Sequence, residues 1–362
     1  MSLPNHGANP AHFVRALGAS MKEDSIDFSV NTNPYGPPKK IADSWSTYFN
    51  KIEQYPEPSS LMLRKTIAKE EQLNIDNVLI GNGAAELIYL IANLYKGKQV
   101  LLIEPTFSEY GDACRAFSCP IRTIHLQKGT WKLKLDDIVA EFSKVDILFL
   151  CHPNNPTGVK YDTSQLVSLL QEAKAHHVTV VIDEAFYDFS TEPITLAPAI
   201  KTNPNLIILR SMTKMYSIPG IRLGYMLASE QLIERIRVFQ HPWSVNSLAQ
   251  QIGLLCVEDK NHARATAIMV KEERERLEQE LQSIGYILSS SSVNYYLLTK
   301  DGLKKEMNDF LLYLVNNGII PRHTYNFSGL DGAYVRLAVK SQTENDRLIE
   351  VLKGWQTICS SS

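Results

Sequence analysis

The sequence lacks several features that would assign it to a class at once. Its five cysteines (114, 119, 151, 256 and 359) are odd in number and show no C-x-x-C spacing, so neither a disulfide framework nor a metal site is indicated. No apolar run approaches the ~20 residues that span a bilayer, and no basic-then-apolar leader opens the chain. The formal net charge of −2 gives no attraction to nucleic acid or to an anionic membrane. We therefore expect a cytoplasmic protein with neither a nucleic-acid nor a membrane partner.

The 362 residues, 44% of them hydrophobic, are enough for a large core and for two domains. From about residue 60, short apolar stretches alternate with helical patterns. The strand-like stretches are residues 77–80, 99–103, 121–124, 147–151, 179–182, 206–209 and 224–228. This alternation predicts an α/β fold with a mostly parallel sheet that helices cover on both faces. A long charged helix over 261–284 and short strands at 295–299 and 335–339 predict a smaller α+β domain after it.

The most informative segment is residues 210–224, Arg-Ser-Met-Thr-Lys-Met-Tyr-Ser-Ile-Pro-Gly-Ile-Arg-Leu-Gly. Lys214 lies there beside the hydroxyls of Ser211 and Thr213, and Arg222 follows eight residues later. Hydroxyls and a guanidinium bind phosphate, and an amine beside a bound phosphate suits an aldehyde cofactor. Pyridoxal 5′-phosphate carries both groups. Taken alone, a Ser-x-Thr-Lys run is more often a solvated lysine near a turn, so this prediction depends on the rest of the sequence.

Two glycine-containing turns each follow a predicted strand. The first, Gly-Asn-Gly-Ala-Ala-Glu, contains Gly83, Ala84 and Ala85. Their backbone N–H groups would lie at the start of a helix, where they could bind an anion. The second, Pro-Asn-Asn-Pro-Thr-Gly, contains Asn155, whose amide could hold the phenolic oxygen of the cofactor. Either segment could also be a purely structural turn.

Three further side chains could serve the same cofactor or its substrate. Asp183 ends a strand and could hold a protonated pyridine nitrogen, although it could equally cap the next helix. Tyr110 could stack on the ring, although an aromatic residue at a helix start is more often part of the core. Arg336 lies within a small-domain strand and could bind a substrate anion or face solvent.

Asn155, Asp183, Lys214 and Arg222 follow one another at gaps of 28, 31 and 8 residues. With this set the chain resembles the fold-type-I pyridoxal-phosphate enzymes, in the branch of the class I/II aminotransferases, over essentially its whole length. The resemblance implies a fold-type-I transferase fold whose large domain (45–245) has a mostly parallel seven-stranded sheet. It also implies an N-terminal arm (1–44) that joins a small C-terminal domain (246–362). Pyridoxal 5′-phosphate is the implied cofactor, and the implied assembly is a homodimer with shared active sites.

Two families of that branch are candidates, the threonine-phosphate decarboxylases, which are lyases, and the histidinol-phosphate aminotransferases. Three segments resemble the decarboxylases: residues 6–9 (His-Gly-Ala-Asn), 27–34 (Asp-Phe-Ser-Val-Asn-Thr-Asn-Pro) and 240–246 (Gln-His-Pro-Trp-Ser-Val-Asn). In addition, Phe186 stands three residues after the aspartate, where many aminotransferases carry a tyrosine that donates to the cofactor phenolate. Phenylalanine cannot donate, although Tyr187 follows, and its presence is compatible with a decarboxylase.

The favoured resemblance implies decarboxylation of L-threonine O-3-phosphate, a small phosphorylated amino acid, to (R)-1-amino-2-propanol O-2-phosphate for the side arm of cobalamin. The residues implied to bind substrate are His6, Gly7, Asn31, Tyr55, Asn155, Arg322 and Arg336. Tyr55 would come from the partner subunit and reach a phosphate. Arg322 and Arg336 would divide phosphate and carboxylate in an order that the sequence leaves open. The implied catalytic residues are Lys214, Asp183 and Tyr110, and a histidinol-phosphate aminotransferase or a related pyridoxal-phosphate aminotransferase remains the alternative.

Overall fold

The computed structural model describes residues 3–4, 7–192 and 195–360, except for the side chains of 358–360. The strands are β1 Ile26–Asp27, β2 Val78–Gly81, β3 Val100–Glu104, β4 Ile121–His125, β5 Ile147–Cys151, β6 Thr179–Asp183, β7 Leu206–Ser211, β8 Gly224–Ala228, β9 Ile287–Leu288, β10 Tyr295–Thr299, β11 Ile319–Ile320, β12 Arg322–His323 and β13 Val335–Ala338. The α-helices are α1 Pro10–Ala16, α2 Lys39–Asp43, α3 Trp45–Tyr48, α4 Leu61–Glu70, α5 Ala84–Leu94, α6 Ser108–Ala116, α7 Leu135–Val139, α8 Thr163–Ala175, α9 Met212–Met215, α10 Glu230–Arg237, α11 Ser247–Glu258, α12 Lys260–Ser283, α13 Met307–Asn316 and α14 Gln342–Ser360. Within the described ranges, no helix is long and apolar enough to cross a membrane.

A seven-stranded sheet with the order β2-β8-β7-β6-β5-β3-β4 forms the centre of the fold. Strand β8 is antiparallel to both of its neighbours, and the other adjacent pairs that join β7, β6, β5, β3 and β4 are parallel. The predicted fold class is therefore confirmed. Each of the seven predicted stretches forms a strand of this sheet, and its bounds differ from the prediction by no more than two residues.

Alternate residues of the central strands enter two different cores. Leu148, Val180 and Ile208 belong to the core on one face of the sheet. Phe149 and Val181 belong to the core on the other face. Because each such side chain contributes about 1.5–3 kcal/mol when fully buried, two-sided burial explains why these strands are continuously apolar.

The carboxyl ends of three parallel strands meet at one edge of the sheet. Cys151 at the end of β5 is in register with Asp183 at the end of β6. Asp183 is in turn paired with Leu209, and β7 continues to Ser211. Polar side chains that follow these strands are therefore gathered at the edge where open parallel sheets bind their ligands.

The C-terminal part of the chain has its own antiparallel sheet, with the order β12-β13-β10-β9. The N-terminal arm packs against this part, since β1 pairs in parallel with β11. Phe13 and Phe28 of the arm share a core with Phe310 and Trp355. The predicted long charged helix is confirmed as α12. The boundaries 1–44, 45–245 and 246–362 stay a prediction.

Candidate active site

A cavity of about 240 Å³ opens at the carboxyl ends of β5, β6 and β7. The residues proposed from the sequence that line it are Gly7, Asn31, Ala84, Ala85, Asn155, Asp183, Ser211, Thr213, Lys214, Arg222, Arg322 and Arg336. These residues are scattered over more than 300 positions of the chain, so only the fold brings them together. His6 lies outside the described residues.

Lys214 lies on α9, the single helical turn that follows β7. Burial and the charges of Arg336 and Arg222 lower the pKa of its amine to about 8, and the charge of Asp183 partly opposes them. Compared with an ordinary lysine, a pKa of about 8 makes the neutral amine roughly 300-fold more abundant at pH 7. Since only the neutral amine attacks a carbonyl carbon, this environment prepares Lys214 to bind an aldehyde.

Hydroxyl, backbone N–H and guanidinium groups converge beside the lysine. The Ser211 and Thr213 hydroxyls lie 2.9 Å apart. Helix α5 begins at Ala84, directly after Gly83, which has a positive φ of 81°. A Cβ on Gly83 would collide with the Arg222 guanidinium, so glycine permits the close approach of the arginine to this helix start. The helix N-terminus and the cation together form a cradle for an anion of phosphate size.

A second glycine, not identified from the sequence, closes this cradle. A Cβ on Gly224 would lie 2.7 Å from the Ala84 backbone nitrogen and 2.8 Å from the Arg210 carbonyl oxygen. Because backbone atoms on both sides cannot withdraw, residue 224 has to be glycine for β8 to pass under the start of α5. Its position two residues after Arg222 was the only signal in the sequence.

The carboxylate of Asp183 is buried at the floor of the cavity. Its Oδ2 accepts a hydrogen bond of 2.6 Å from the Tyr110 hydroxyl, and its Oδ1 accepts one of 2.9 Å from the Ala185 N–H. Burial raises the pKa of Asp183, whereas these two hydrogen bonds and the charge of Lys214 oppose the rise. A buried anion of this kind is stabilised by a cationic partner, such as a protonated pyridine nitrogen.

Tyr110 occupies a different position from the one expected. It is fully buried, its ring stacks on Phe149 at 5.3 Å, and it does not line the cavity. The expected stacking of Tyr110 on a cofactor ring is therefore not supported, because its ring lies in the core while its hydroxyl holds Asp183. Of the two aromatic residues in this motif, Phe107, the residue just before α6, is the one that lines the cavity. The sequence motif contained both rings and gave no means of choosing between them.

Arg336 connects several groups of the cavity. Its Nη1 donates to Asn155 Oδ1 and its Nη2 to the Ser29 carbonyl oxygen, both at 2.7 Å. Since the Asn155 oxygen is occupied, its amide Nδ2 is the atom that can meet a phenolic oxygen. The buried Arg336 Nε and Asn31 Nδ2 have no hydrogen-bond partner among the described residues. Buried donors of this kind are satisfied when a ligand supplies acceptors.

Two buried guanidiniums stand at this end of the cavity. Burial lowers the pKa of Arg336 to about 10. Burial, and then the charge of Arg336, lower the pKa of Arg322 to about 9. Both shifts mean that the positive charges are costly without an anion beside them, so anionic ligand groups would stabilise them.

The remaining residues implied by the resemblance lie around the cavity or away from it. Gly7 packs near the Arg322 side chain. Tyr55 is 85% exposed, contacts Trp243 at 5.3 Å between ring centroids and does not line the cavity of its own subunit. Its expected role at the partner's phosphate stays a prediction.

The two aromatic residues after Asp183 bring no hydroxyl to the cavity. Phe186 lines the cavity and packs edge-on against Tyr295 at 4.8 Å. The ring of Tyr187 faces the Arg210 guanidinium carbon at 3.4 Å from its centroid, and Tyr187 is not a lining residue. Phe186, which stands where many aminotransferases carry a tyrosine, therefore lies in the cavity itself. The hydroxyl of Tyr187 does not replace the missing one.

The residues present fit pyridoxal 5′-phosphate. The cradle at the start of α5 suits its phosphate, the low-pKa amine of Lys214 suits its aldehyde and the buried carboxylate of Asp183 suits its pyridine nitrogen. When bound, this cofactor supplies an electron sink for a bond broken at the Cα of an amino acid.

Comparisons with known proteins identify the family of this chain. The model of the family "Aminotransferase class I and II" matches residues 23–352. The chain is 34% identical over 351 residues to the threonine-phosphate decarboxylase of Salmonella typhimurium, with 96% of each chain covered. Among solved structures, the histidinol-phosphate aminotransferase of Clostridium acetobutylicum is 30% identical with a TM-score of 0.86, over 92% of this chain and 99% of that one. The L-threonine-O-3-phosphate decarboxylase of Porphyromonas gingivalis is 26% identical with a TM-score of 0.82, over the same shares. The chain therefore belongs to the class I and II aminotransferase family, and its cofactor is pyridoxal 5′-phosphate.

Proposed function

We propose that this chain is a cytoplasmic decarboxylase that converts L-threonine O-3-phosphate to (R)-1-amino-2-propanol O-2-phosphate and CO₂, for the side arm of cobalamin. The similarity to the Salmonella typhimurium threonine-phosphate decarboxylase supports this activity, because it extends over 96% of both chains. The alternative is a histidinol-phosphate aminotransferase, which the similarity to the Clostridium acetobutylicum structure favours.

The number of guanidiniums in the cavity carries the proposal. Arg222 lies in the cradle at the start of α5, where the cofactor phosphate fits, so Arg322 and Arg336 remain for the substrate. L-Threonine O-3-phosphate brings a phosphate and a carboxylate, which gives each buried guanidinium one anion. Histidinol phosphate has a phosphate and no carboxylate, so it would offer only one anion to these two guanidiniums.

The side chains would then divide the work. Ser211, Thr213, Arg222 and the first N–H groups of α5 hold the cofactor phosphate, Asp183 accepts from the pyridine nitrogen and Asn155 donates to the phenolic oxygen. Arg322 and Arg336 hold the substrate and set which bond at Cα is oriented for cleavage. The Cα–carboxyl bond breaks, CO₂ leaves, and the proton carried by Lys214 Nζ replaces it on Cα. Phe107, which lines the cavity, would pack against the pyridine ring of the cofactor.

The decisive assay uses the purified, cofactor-loaded protein with carboxyl-labelled L-threonine O-3-phosphate and no keto acid. We expect repeated turnover to labelled CO₂. Unphosphorylated L-threonine is the matched substrate control. Because it lacks the phosphate contact, its kcat/KM should be about tenfold or more below that of L-threonine O-3-phosphate. Absence of CO₂, together with glutamate formed from 2-oxoglutarate and histidinol phosphate, would instead establish the aminotransferase.

We also propose that the chain acts as a homodimer in which Tyr55 of one subunit reaches the substrate phosphate in the other. Large apolar side chains are exposed in the same region, among them Trp45, Phe49 and Ile52, and a monomeric protein rarely exposes such a group. Sedimentation equilibrium should give the mass of two 40.8 kDa chains. A single-chain mass at micromolar concentration would contradict the shared site.

A further inference from the structure

The helix that carries Lys214 is too short to satisfy its own carbonyl groups. Helix α9 has only four residues, and the last carbonyls of any α-helix need partners from outside it. The Lys214 carbonyl oxygen accepts from the Ser217 N–H, at 3.3 Å. The Lys214 side chain extends from this one turn of backbone, so the position of its amine depends in part on how firmly the turn is held.

Asn33 of the N-terminal arm supplies two such outside partners. Its backbone N–H donates to the Lys214 carbonyl oxygen at 2.9 Å. Its side-chain Nδ2 donates to the Met215 carbonyl oxygen at 3.0 Å. One residue from the other end of the chain therefore caps the helical turn twice, and it does so at only 2% exposure, where water cannot substitute.

The orientation of the Asn33 amide is fixed by its other contacts. Its Oδ1 accepts from the Tyr35 N–H at 2.9 Å, so Nδ2 has to face α9. Nδ2 also lies 3.0 Å from the Thr266 hydroxyl and 3.1 Å from His262 Nε2, both on α12. The amide thus joins three parts of the chain, the arm, the lysine turn and α12.

The same stretch of the arm reaches the cavity. Asn31, two residues before Asn33, lines the cavity, and its buried Nδ2 has no hydrogen-bond partner in the part of the chain that the structure describes. Asn294 Nδ2 holds the Asn31 carbonyl oxygen at 2.8 Å, and Arg336 holds that of Ser29 at 2.7 Å. The arm is therefore held by hydrogen bonds around Asn31, the residue that lines the cavity. Two residues later, Asn33 contacts the backbone of Lys214.

We propose that Asn33 is a positioning residue that sets the place of the Lys214 amine by holding the carbonyls of Lys214 and Met215. Its side chain touches neither substrate nor cofactor. The proposal rests on the assignment of Lys214 as the covalent cofactor site, but it holds for a decarboxylase and an aminotransferase alike. Loss of the side-chain contact should misplace the amine while the phosphate cradle, on different elements, stays intact.

The test separates capture of the cofactor from its initial binding. Cofactor is removed from the wild-type protein and from Asn33→Ala, and the covalent absorbance is followed by stopped flow at increasing pyridoxal 5′-phosphate. We expect the maximal rate of capture to fall about tenfold or more in Asn33→Ala, because small displacements of a reacting group have effects of this size. The concentration that gives half-maximal rate should change by less than about twofold, since the cradle is untouched.

Thr266→Val is the matched control, because it removes a contact between Asn33 and α12 and leaves both α9 carbonyls capped. We expect its maximal rate to lie within about twofold of wild type. Should Asn33→Ala fail to fold by circular dichroism, Asn33→Asp replaces it, since aspartate keeps the acceptor for the Tyr35 N–H and loses the donors.

Three results would overturn the proposal. A wild-type rate in the Asn33 variants would show that the turn needs no side-chain cap, and equal slowing in Thr266→Val would show that only arm packing matters. If the wild-type protein itself captures no cofactor, the assignment of Lys214 fails and the positioning role fails with it. That outcome is distinct from a defect confined to the Asn33 variants.

Discussion

Replacement of Lys214 by alanine is expected to abolish covalent attachment of pyridoxal 5′-phosphate. The cavity offers one low-pKa amine, next to the Ser211 and Thr213 hydroxyls and the Arg222 guanidinium, and the variant removes that amine alone. In the wild-type protein, borohydride reduction should add the mass of the reduced cofactor to the peptide that contains residue 214. In Lys214→Ala that added mass and the absorbance of the covalently held cofactor should both be lost.

The pH dependence of capture by the wild-type protein follows from the same environment. Burial and the charges of Arg336 and Arg222 hold the pKa of the Lys214 amine at about 8. Below that pH the amine is mostly protonated and cannot attack, so the rate of capture should rise nearly tenfold for each pH unit and level off above about 8. A midpoint above pH 10 would mean that the amine is solvated and that the cavity does not prepare it.

An exposed lysine provides the matched control. Lys201 lies on the surface, and Lys201→Ala should keep both the absorbance and the added mass on the peptide of residue 214. A Lys214→Ala protein that keeps the wild-type absorbance would remove the central assignment. Because the phosphate cradle remains, the variant should still bind the cofactor reversibly, and this is measurable by dialysis.

The parts of the fold that depend on local sequence were predictable. Strands such as β5 and β6 are short and almost entirely apolar, and burial on both faces of a sheet requires that pattern. The order of the strands was not predictable in this way, since β3 lies between β4 and β5 and β8 is antiparallel to its neighbours. That arrangement depends on long-range packing, which no local pattern records, and the resemblance to a family implied only a mostly parallel seven-stranded sheet without a strand order.

The same division applies to the site. Asp183 ends a strand of the parallel sheet, and Asn155 and Lys214 each follow one, so their meeting at one edge could be expected from the sequence. The sequence could not show whether Phe107 or Tyr110 lines the cavity. That depends on the residue at which α6 begins and on how the helix is rotated about its axis.

The contact of Asn33 with the lysine turn joins residues 181 positions apart. No periodicity or motif spacing indicates such a contact. The sequence identifies the Asn-x-Asn-Pro segment only as part of the arm, with residue 31 as a substrate contact, and it indicates no role for residue 33.

Replacement of Asp183 by alanine is expected to leave pyridoxal 5′-phosphate bound and to slow all chemistry at Cα. The variant keeps Lys214 and the phosphate cradle, so the absorbance of the covalently held cofactor should persist. It loses the buried carboxylate that would keep the pyridine nitrogen protonated, and with it the electron withdrawal that the ring needs. Removal of one such preorganised electrostatic group lowers kcat by about 100- to 1,000-fold in other enzymes, and we expect a loss of at least that order in labelled CO₂ release.

Tyr110→Phe separates the charge of Asp183 from the packing around it. The hydroxyl of Tyr110 donates to Asp183 Oδ2 at 2.6 Å, and both side chains are buried. Phenylalanine keeps the ring on Phe149 and removes one hydrogen bond to the carboxylate, which should raise the pKa of Asp183 further and leave it able to accept from a cation. We expect Tyr110→Phe to lose about tenfold or less in kcat, which corresponds to one hydrogen bond. Equal losses in Tyr110→Phe and Asp183→Ala would indicate that the packing of the site matters more than its charge, and unchanged turnover in Asp183→Ala would remove its assigned role.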